Sequence, residues 1–391
     1  MDKHTKKTPS LFRYPVLVAF GLFFIGLFVL DMATPDRAYS ELENTTLTQR
    51  PRLTAVSADG LNNYFTSYTR YVKDQVFGRD QWISLQSAAE TTLFQKTQSG
   101  GILLGREHMM FARHYSILKN EEKGMAKNLA AVQSLAQRYP GRVNLMLVPS
   151  ASVVYPENIP AGAPQIDEKG ILEGVAAQGE AYGRFIDVLP TLTEHKEEYL
   201  YYRTDHHWTT RGAFLGYTAA AKKMGIYPLS EDFYDVEHAS DKFRGTFYSK
   251  VLYNGIKPDT IDIWHLSENE TQPEVEIYST FGEEPTIHDG MYFREYLDVK
   301  DKYSTFFGTN QPMITIRTGH EGGKLLMFKD SYAHCFAPFM TEHYSEITMV
   351  DLRYIQISYK ELIDVSDYDQ VLFLYNASTF MSDENIKKLS Y

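Results

Sequence analysis

Four short apolar runs, each followed at once by a turn, constrain this chain more than any other feature. They are RVNLMLVPS (142–150), KLLMFKDS (324–331), EITMVDLRY (346–354) and YDQVLFLYN (368–376). Their apolar residues are continuous rather than alternating, the pattern of strands buried on both faces. RFIDVLPTL (184–192) reads as a further strand. Helix-forming stretches at 120–138, 173–183 and 209–225 fall between the runs, the last with Thr at its start and Gly225 as its stop. Alternating strands and helices predict an α/β fold, a parallel sheet with helices on both faces. Residues 226–320 break the rhythm: aromatics, turn residues and short alternating runs such as VEIYST predict a β-rich insertion. Upstream, residues 61–98 carry helical periodicity in Tyr64, Tyr68, Tyr71 and Val72. GGILLGREHMMF then reads as a glycine-flanked hairpin, and SYAHCFAPFMTEHY, after the second run, as a turn and a helix.

Residues Tyr14 to Leu30 carry no charge, and such a run is just long enough to span a bilayer, which takes about 17–25 residues. Lys3, Lys6, Lys7 and Arg13 precede it, and Asp31 and Asp36 follow it. The positive-inside bias puts the N-terminus in the cytoplasm and the body outside. A cleaved signal peptide and a buried helix are the alternatives; DMATPD after Leu30 makes a poor cleavage site. The expected organisation is a cytoplasmic tail and membrane anchor over 1–35, a polar linker over 36–60, and one large domain over 61–391 that contains the insertion.

The chain of 391 residues has a formal charge of −11, and removing the basic N-terminal flank makes the rest more acidic still. An acidic body with no basic stripe argues against a nucleic-acid partner. The single cysteine, Cys335, rules out an internal disulfide. The 28 Tyr and 23 Phe suit either a carbohydrate-stacking surface or an ordinary core.

The candidate chemistry sits on two segments. Ser331 directly follows an apolar strand, at the carboxyl edge where open α/β sheets place their sites; a helix N-cap serine is the alternative. Asp205-His206-His207-Trp208 supplies a base and a carboxylate. A serine hydroxyl is a poor nucleophile until a histidine takes its proton, and a carboxylate fixes the tautomer of that histidine. Asp205 reaches His207 if the loop curls back. The same residue types are also metal ligands, and Asp-His-His occurs in metal phosphoesterases. The further Asp-rich strand motif that two metals need is missing from the sequence, so no metal or other cofactor is expected.

YYRTDHHWTTRGA resembles the signature of the bacterial DHHW protein family, and more broadly the SGNH-like domain of alginate O-acetyltransferases. YSELENTTL, DQVFGRDQWISL, ILLGREHMMF, LVPSASVVYPENIP, FIDVLPTL, GTFYSKVLYN, YSTFFGTNQP and LLMFKDSYA are similar to the same family. The resemblance implies a circularly permuted SGNH-hydrolase-like fold, since Asp205 and His207 here precede Ser331. It implies Ser331 as nucleophile, His207 as base and Asp205 as its orienting carboxylate, with His206 outside the triad. Lys329 stands where the SGNH block has glycine. Asn376, ending the third strand of the C-terminal set, is the oxyanion candidate, with the Ser331 N–H as a second donor. Arg353 and Tyr332 are the candidate substrate-binding residues, and His334 and Ser150 are edge positions with structural roles.

The implied activity is O-acetyl transfer to, or ester hydrolysis of, a cell-surface or secreted polysaccharide, with a membrane-bound O-acyltransferase as possible partner. The alternative is a non-catalytic carbohydrate-binding or scaffold protein of a glycan-modifying complex.

Overall fold

The structure is a computed structural model and describes residues 14–53, 56–253, 255–266, 272–280 and 282–390. The basic residues that set the expected membrane orientation lie outside these. The chain divides into two compact units, Met1–Ala89 and Glu90–Tyr391.

In the first unit, helix α1 (Pro15–Ala33) buries none of its residues and is long and apolar enough to cross a membrane. The periodic stretch that follows forms two helices rather than one. Helix α2 (Ala58–Gln75) starts on Ser57, whose side chain accepts the Gly60 N–H. Gly78 then takes a left-handed conformation, φ +69, which glycine adopts at no steric cost, and helix α3 (Arg79–Ala88) begins.

The second unit opens with a three-stranded antiparallel ribbon, Gln98–Ser99, Ile102–Leu104 and Met110–Ala112, built from the glycine-flanked hairpin. Next come helix α4 (Lys119–Arg138), strand β1 (Val143–Val148), helix α5 (Glu168–Ala177), strand β2 (Arg184–Ile186) and helix α6 (Thr210–Met224). The caps of α6 are those expected: Thr209 accepts the Gly212 N–H, and Gly225 turns left-handed at φ +81. The remaining sheet strands are β3 (Glu274–Tyr278), β4 (Thr286–Asp289), β5 (Met313–Arg317), β6 (Gly323–Lys329), β7 (Tyr344–Val350) and β8 (Gln370–Asn376).

These eight strands form one sheet in the order β4-β3-β5-β7-β6-β8-β1-β2. The half from β7 to β2 is parallel, as the continuous apolar runs predict. The other three strands pair antiparallel, so the sheet is mixed and not wholly parallel. The difference comes from the β-rich region: β3, β4 and β5 extend the main sheet past β7. The ribbon of Tyr234–Phe243 and Asp259–Leu266 stays apart from it.

Side chains alternate between two cores. Met146, Leu325, Met327, Leu372 and Leu374 pack on the face that α6 covers. Leu145, Leu147, Leu326, Phe328 and Phe373 pack on the opposite face with Leu129 and Val132 of α4 and Leu172 of α5. Helices thus cover both faces. Much of the tyrosine is core: Tyr201, Tyr202, Tyr217, Tyr332, Tyr359 and Tyr375 are fully buried.

The helix expected after Ser331 does not form. Ser331–Ala333 and Ala337–His343 are short 3-10 turns. Pro338 supplies no N–H to continue a helical ladder, and the segment buries Phe336, Phe339 and Met340 in irregular turns.

Candidate active site

Strand β6 ends at Lys329, and the next residue shapes the turn. The Asp330 carboxylate accepts the Tyr332 N–H at 2.9 Å and the Asn376 N–H at 2.8 Å. It thereby locks the ends of neighbouring strands β6 and β8 together. Burial raises its pKa, against the Arg353 charge and these two N–H bonds. Ser331 follows, half-buried, at the carboxyl edge of the sheet.

The second segment is a tight loop closed at its base. Tyr201 bridges Trp208, and the Tyr202 N–H reaches the His207 carbonyl at 3.2 Å. Buried Asp259 accepts the Arg203 and Thr204 N–H groups, both at 2.8 Å, and the Thr204 hydroxyl at 2.5 Å. Asp205 curls back within this frame: its Oδ1 accepts the His207 N–H at 3.1 Å and lies 2.6 Å from His207 Nδ1. Its Oδ2 accepts the Thr246 N–H at 2.7 Å and hydroxyl at 3.0 Å. Burial alone would raise the Asp205 pKa. The charges of His206 and His207, with these hydrogen bonds, prevail and hold it far below the carboxylate range.

The two segments meet. His207 Nε2 lies 2.6 Å from Ser331 Oγ. Trp208 joins them a second time, its indole N–H donating to the Tyr332 carbonyl at 3.0 Å. The His207 side chain is only 7% exposed, whereas Ser331 is half-buried. Tyr303 stacks on the imidazole, and His206 leans on it with ring centroids 3.8 Å apart. The arrangement can draw a proton from the serine hydroxyl onto an imidazole whose other nitrogen a carboxylate holds.

The other expected residues are placed as follows. Asn376 sits near the turn, but its amide is committed. Its Oδ1 caps the helical turn Ala377–Ser382 by accepting the Ser378 N–H at 3.1 Å. Its Nδ2 donates to the Val148 carbonyl at 3.1 Å and to Tyr332 Oη at 3.3 Å. Among the described residues the Ser331 N–H shows no hydrogen bond to another backbone group. Arg353 forms a two-bond pair with buried Asp351, at 2.8 and 2.6 Å, so its guanidinium is engaged in the structure itself. Tyr332 is buried and donates to the His206 carbonyl. Lys329 is wholly buried, 2.7 Å from His334 Nε2 and 3.6 Å from Asp351; burial lowers its pKa. Ser150 gives its N–H and its hydroxyl to the Glu168 carboxylate. A cavity of about 160 Å³ adjoins the site, lined among others by His206, Tyr332, Phe247, Ser150 and Glu168.

Asp205, His206 and His207 bring ligand-type atoms within 4.8 Å of one another. Both ring nitrogens of His207 are already engaged, one by Asp205 and one by Ser331. The set therefore fits a proton relay better than an ion.

Sequence reasoning missed Thr246, Asp259 and Tyr303, which hold Asp205, the loop base and the His207 ring. All three come from the β-rich region, where spacing carries no signal for them. Thr246 and Tyr303 do fall in GTFYSKVLYN and YSTFFGTNQP, two of the stretches that resemble the family.

Fold and site together define an α/β protein with a serine, a histidine and an aspartate in one hydrogen-bonded chain at the edge of a mixed sheet. Residues 130–350, more than half of the chain, match the family model described as DHHW protein, and the chain belongs to that family. Among solved structures it is similar to a DHHW family protein from Eubacterium siraeum, at TM-score 0.61 and 22% identity, over 75% of this chain and 96% of that one. It is also similar to Bacillus cereus PatB1 with a sulfonyl adduct, at TM-score 0.59 and 17% identity, over 74% of this chain and 99% of that one. Among curated proteins none matches the sequence.

Proposed function

We propose that this chain is an extracytoplasmic serine acyltransferase or esterase acting on a cell-surface or secreted polysaccharide, tethered by α1 with its N-terminus in the cytoplasm. The observation that carries the reading is the continuous relay of Ser331 Oγ, His207 and Asp205, with both links at 2.6 Å. A sulfonyl adduct, as in PatB1, is a species that an activated nucleophile forms with a sulfonyl electrophile. The chain order, with Asp205 and His207 before Ser331, supports an SGNH-like sheet in permuted form.

In this mechanism His207 Nε2 takes the Ser331 proton as Oγ attacks the acyl carbonyl. The Ser331 N–H faces the developing oxyanion. Collapse of the intermediate expels the donor alcohol, which takes the proton back from His207. A sugar hydroxyl, or water, then gives its proton to His207, attacks the acyl-enzyme and releases Ser331. Asp205 holds the imidazole in the tautomer with Nδ1 protonated and stabilises its charged form. The acyl group would come through a membrane-bound O-acyltransferase, with a glycan as acceptor.

The test is turnover of a chromogenic acetyl ester by full-length protein, with intact mass after brief exposure. Wild type is expected to hydrolyse the ester and to carry one acetyl group on Ser331, and an added acceptor oligosaccharide diverts the acetyl group if the enzyme is a transferase. Undiminished turnover in a folded Ser331→Ala variant would discard the assignment; no turnover and no acetylation in wild type would favour the scaffold reading.

A further inference from the structure

The first unit holds an apolar surface with a fixed relation to α1. At about 1.5 Å per residue, the 19 residues of α1 cover the hydrocarbon thickness of a bilayer, about 30 Å. If α1 spans, the polar residues at its C-terminal end lie at the lipid–water interface. Those residues are bonded to the α2–α3 elbow. Asp31 accepts the Phe77 N–H at 2.9 Å. Asp36 accepts the Tyr71 hydroxyl at 3.0 Å. The Arg37 guanidinium holds Asp80 through bonds of 2.8 and 3.0 Å, and its backbone N–H reaches Gln75 at 2.9 Å. The elbow is thus within a side-chain length of the end of α1.

Both helices that meet there expose apolar residues on one face. Leu61, Phe65, Tyr68 and Val72 are all exposed, Phe65 at 62%, and recur at spacings of three and four, a single stripe along α2; Val76, exposed too, caps the C-terminal end of the helix. Trp82 and Leu85 of α3, three residues apart, are 44% and 59% exposed. A stripe of this kind left in water is unfavourable. Amphipathic helices instead bury such a face in the interfacial layer, where Trp and Tyr are favoured.

We propose that the α2–α3 elbow and the apolar stripe of α2 form a lipid-docking surface, lying in the interface of the leaflet where α1 ends. The proposal rests on the reading of α1 as a membrane span and is independent of the catalytic assignment. Lipid is the occupant because the tether brings the elbow end of the stripe to the bilayer whatever else binds.

The chain supplies its own probe. Of its three tryptophans, Trp208 and Trp264 are buried and Trp82 is exposed, so the emission lost on Trp82→Phe isolates Trp82. Full-length protein in nanodiscs is compared with lipids brominated at shallow or at mid-chain positions. Shallow bromines are expected to remove most of the Trp82 emission and mid-chain bromines little of it. A Phe65→Trp, Trp82→Phe variant should behave the same way. A Phe24→Trp, Trp82→Phe variant should be quenched by mid-chain bromines. If this last variant is unquenched, the span reading falls and the proposal with it. If it is quenched while Trp82 is not, the anchor stands and the docking surface is overturned. Quenching at Trp82 but not in the Phe65→Trp variant overturns the α2 stripe, leaving that face to a protein partner.

Discussion

The ring of Tyr303 lies flat on the imidazole of His207, with centroids 3.8 Å apart and planes 8° from parallel, while its hydroxyl donates to the Ser331 carbonyl at 2.8 Å. One side chain therefore touches both partners of the serine–histidine pair. In the proposed mechanism the imidazole becomes charged, and a tyrosine face over a charged imidazole is a cation–π contact worth about 0.5–2 kcal/mol. Tyr303→Leu, which removes both contacts, is expected to lower kcat by roughly 2- to 30-fold on that scale. Tyr303→Phe keeps the stack and should lose less. Equal losses in the two variants would show that the hydroxyl, and not the stack, matters.

Asp205 sets an acid-side dependence. Its folded-state pKa is held below the ordinary value, so the unfolded chain takes up this proton first as pH falls. The stabilisation is fully present above the usual carboxylate pKa near 4 and drains away as pH drops below it. Asp205→Asn is expected to lower Tm at pH 7 and to narrow the Tm gap from wild type as pH approaches 3. Its activity should fall by roughly 10³-fold or more, by analogy with other triads. A Tm gap that stays constant across this range would contradict the electrostatic account.

Gly245 leaves no room for a side chain. A Cβ there would collide with the Asp205 carboxylate, the group that the neighbouring Thr246 N–H holds at 2.7 Å. Gly245→Ala is expected to cost about 1–3 kcal/mol, as overpacking does, and to cut kcat by displacing Asp205. Urea melts and ester turnover on the same preparation check both; full activity in the variant would mean that Asp205 tolerates displacement.

Arg353 separates two roles. As a substrate-binding residue, its loss would raise KM. The structure instead pairs it with buried Asp351, whose other cationic neighbour is Lys329 at 3.6 Å. Arg353→Met is expected to destabilise by about 3 kcal/mol, since it leaves a buried carboxylate poorly compensated, with KM unchanged. A raised KM without loss of stability would restore the substrate-binding role.

The sequence by itself determined the parallel half of the sheet, because continuous apolar runs are stable only where both faces are covered. It also determined the caps of α6 and the length and apolarity of α1. The two-residue spacing of Asp205 and His207 made their contact readable, since a curled loop brings such neighbours together. Three outcomes belonged to tertiary structure. Strands β3, β4 and β5 of 226–320 joined the main sheet because an open edge beside β7 accepts them, while the ribbon of Tyr234–Phe243 and Asp259–Leu266 did not; local pattern says nothing about which edge is free. Ser331 met His207 across 124 positions, a closeness that strand order creates and residue spacing cannot encode. Asn376 and Arg353 lie where the chain pattern put them, at strand ends. Whether their polar groups faced outward or were engaged by Val148, Tyr332 and Asp351 depended on which neighbours packed against them. Polar groups in a buried setting are paired by whatever is within reach, and only the folded chain decides what that is.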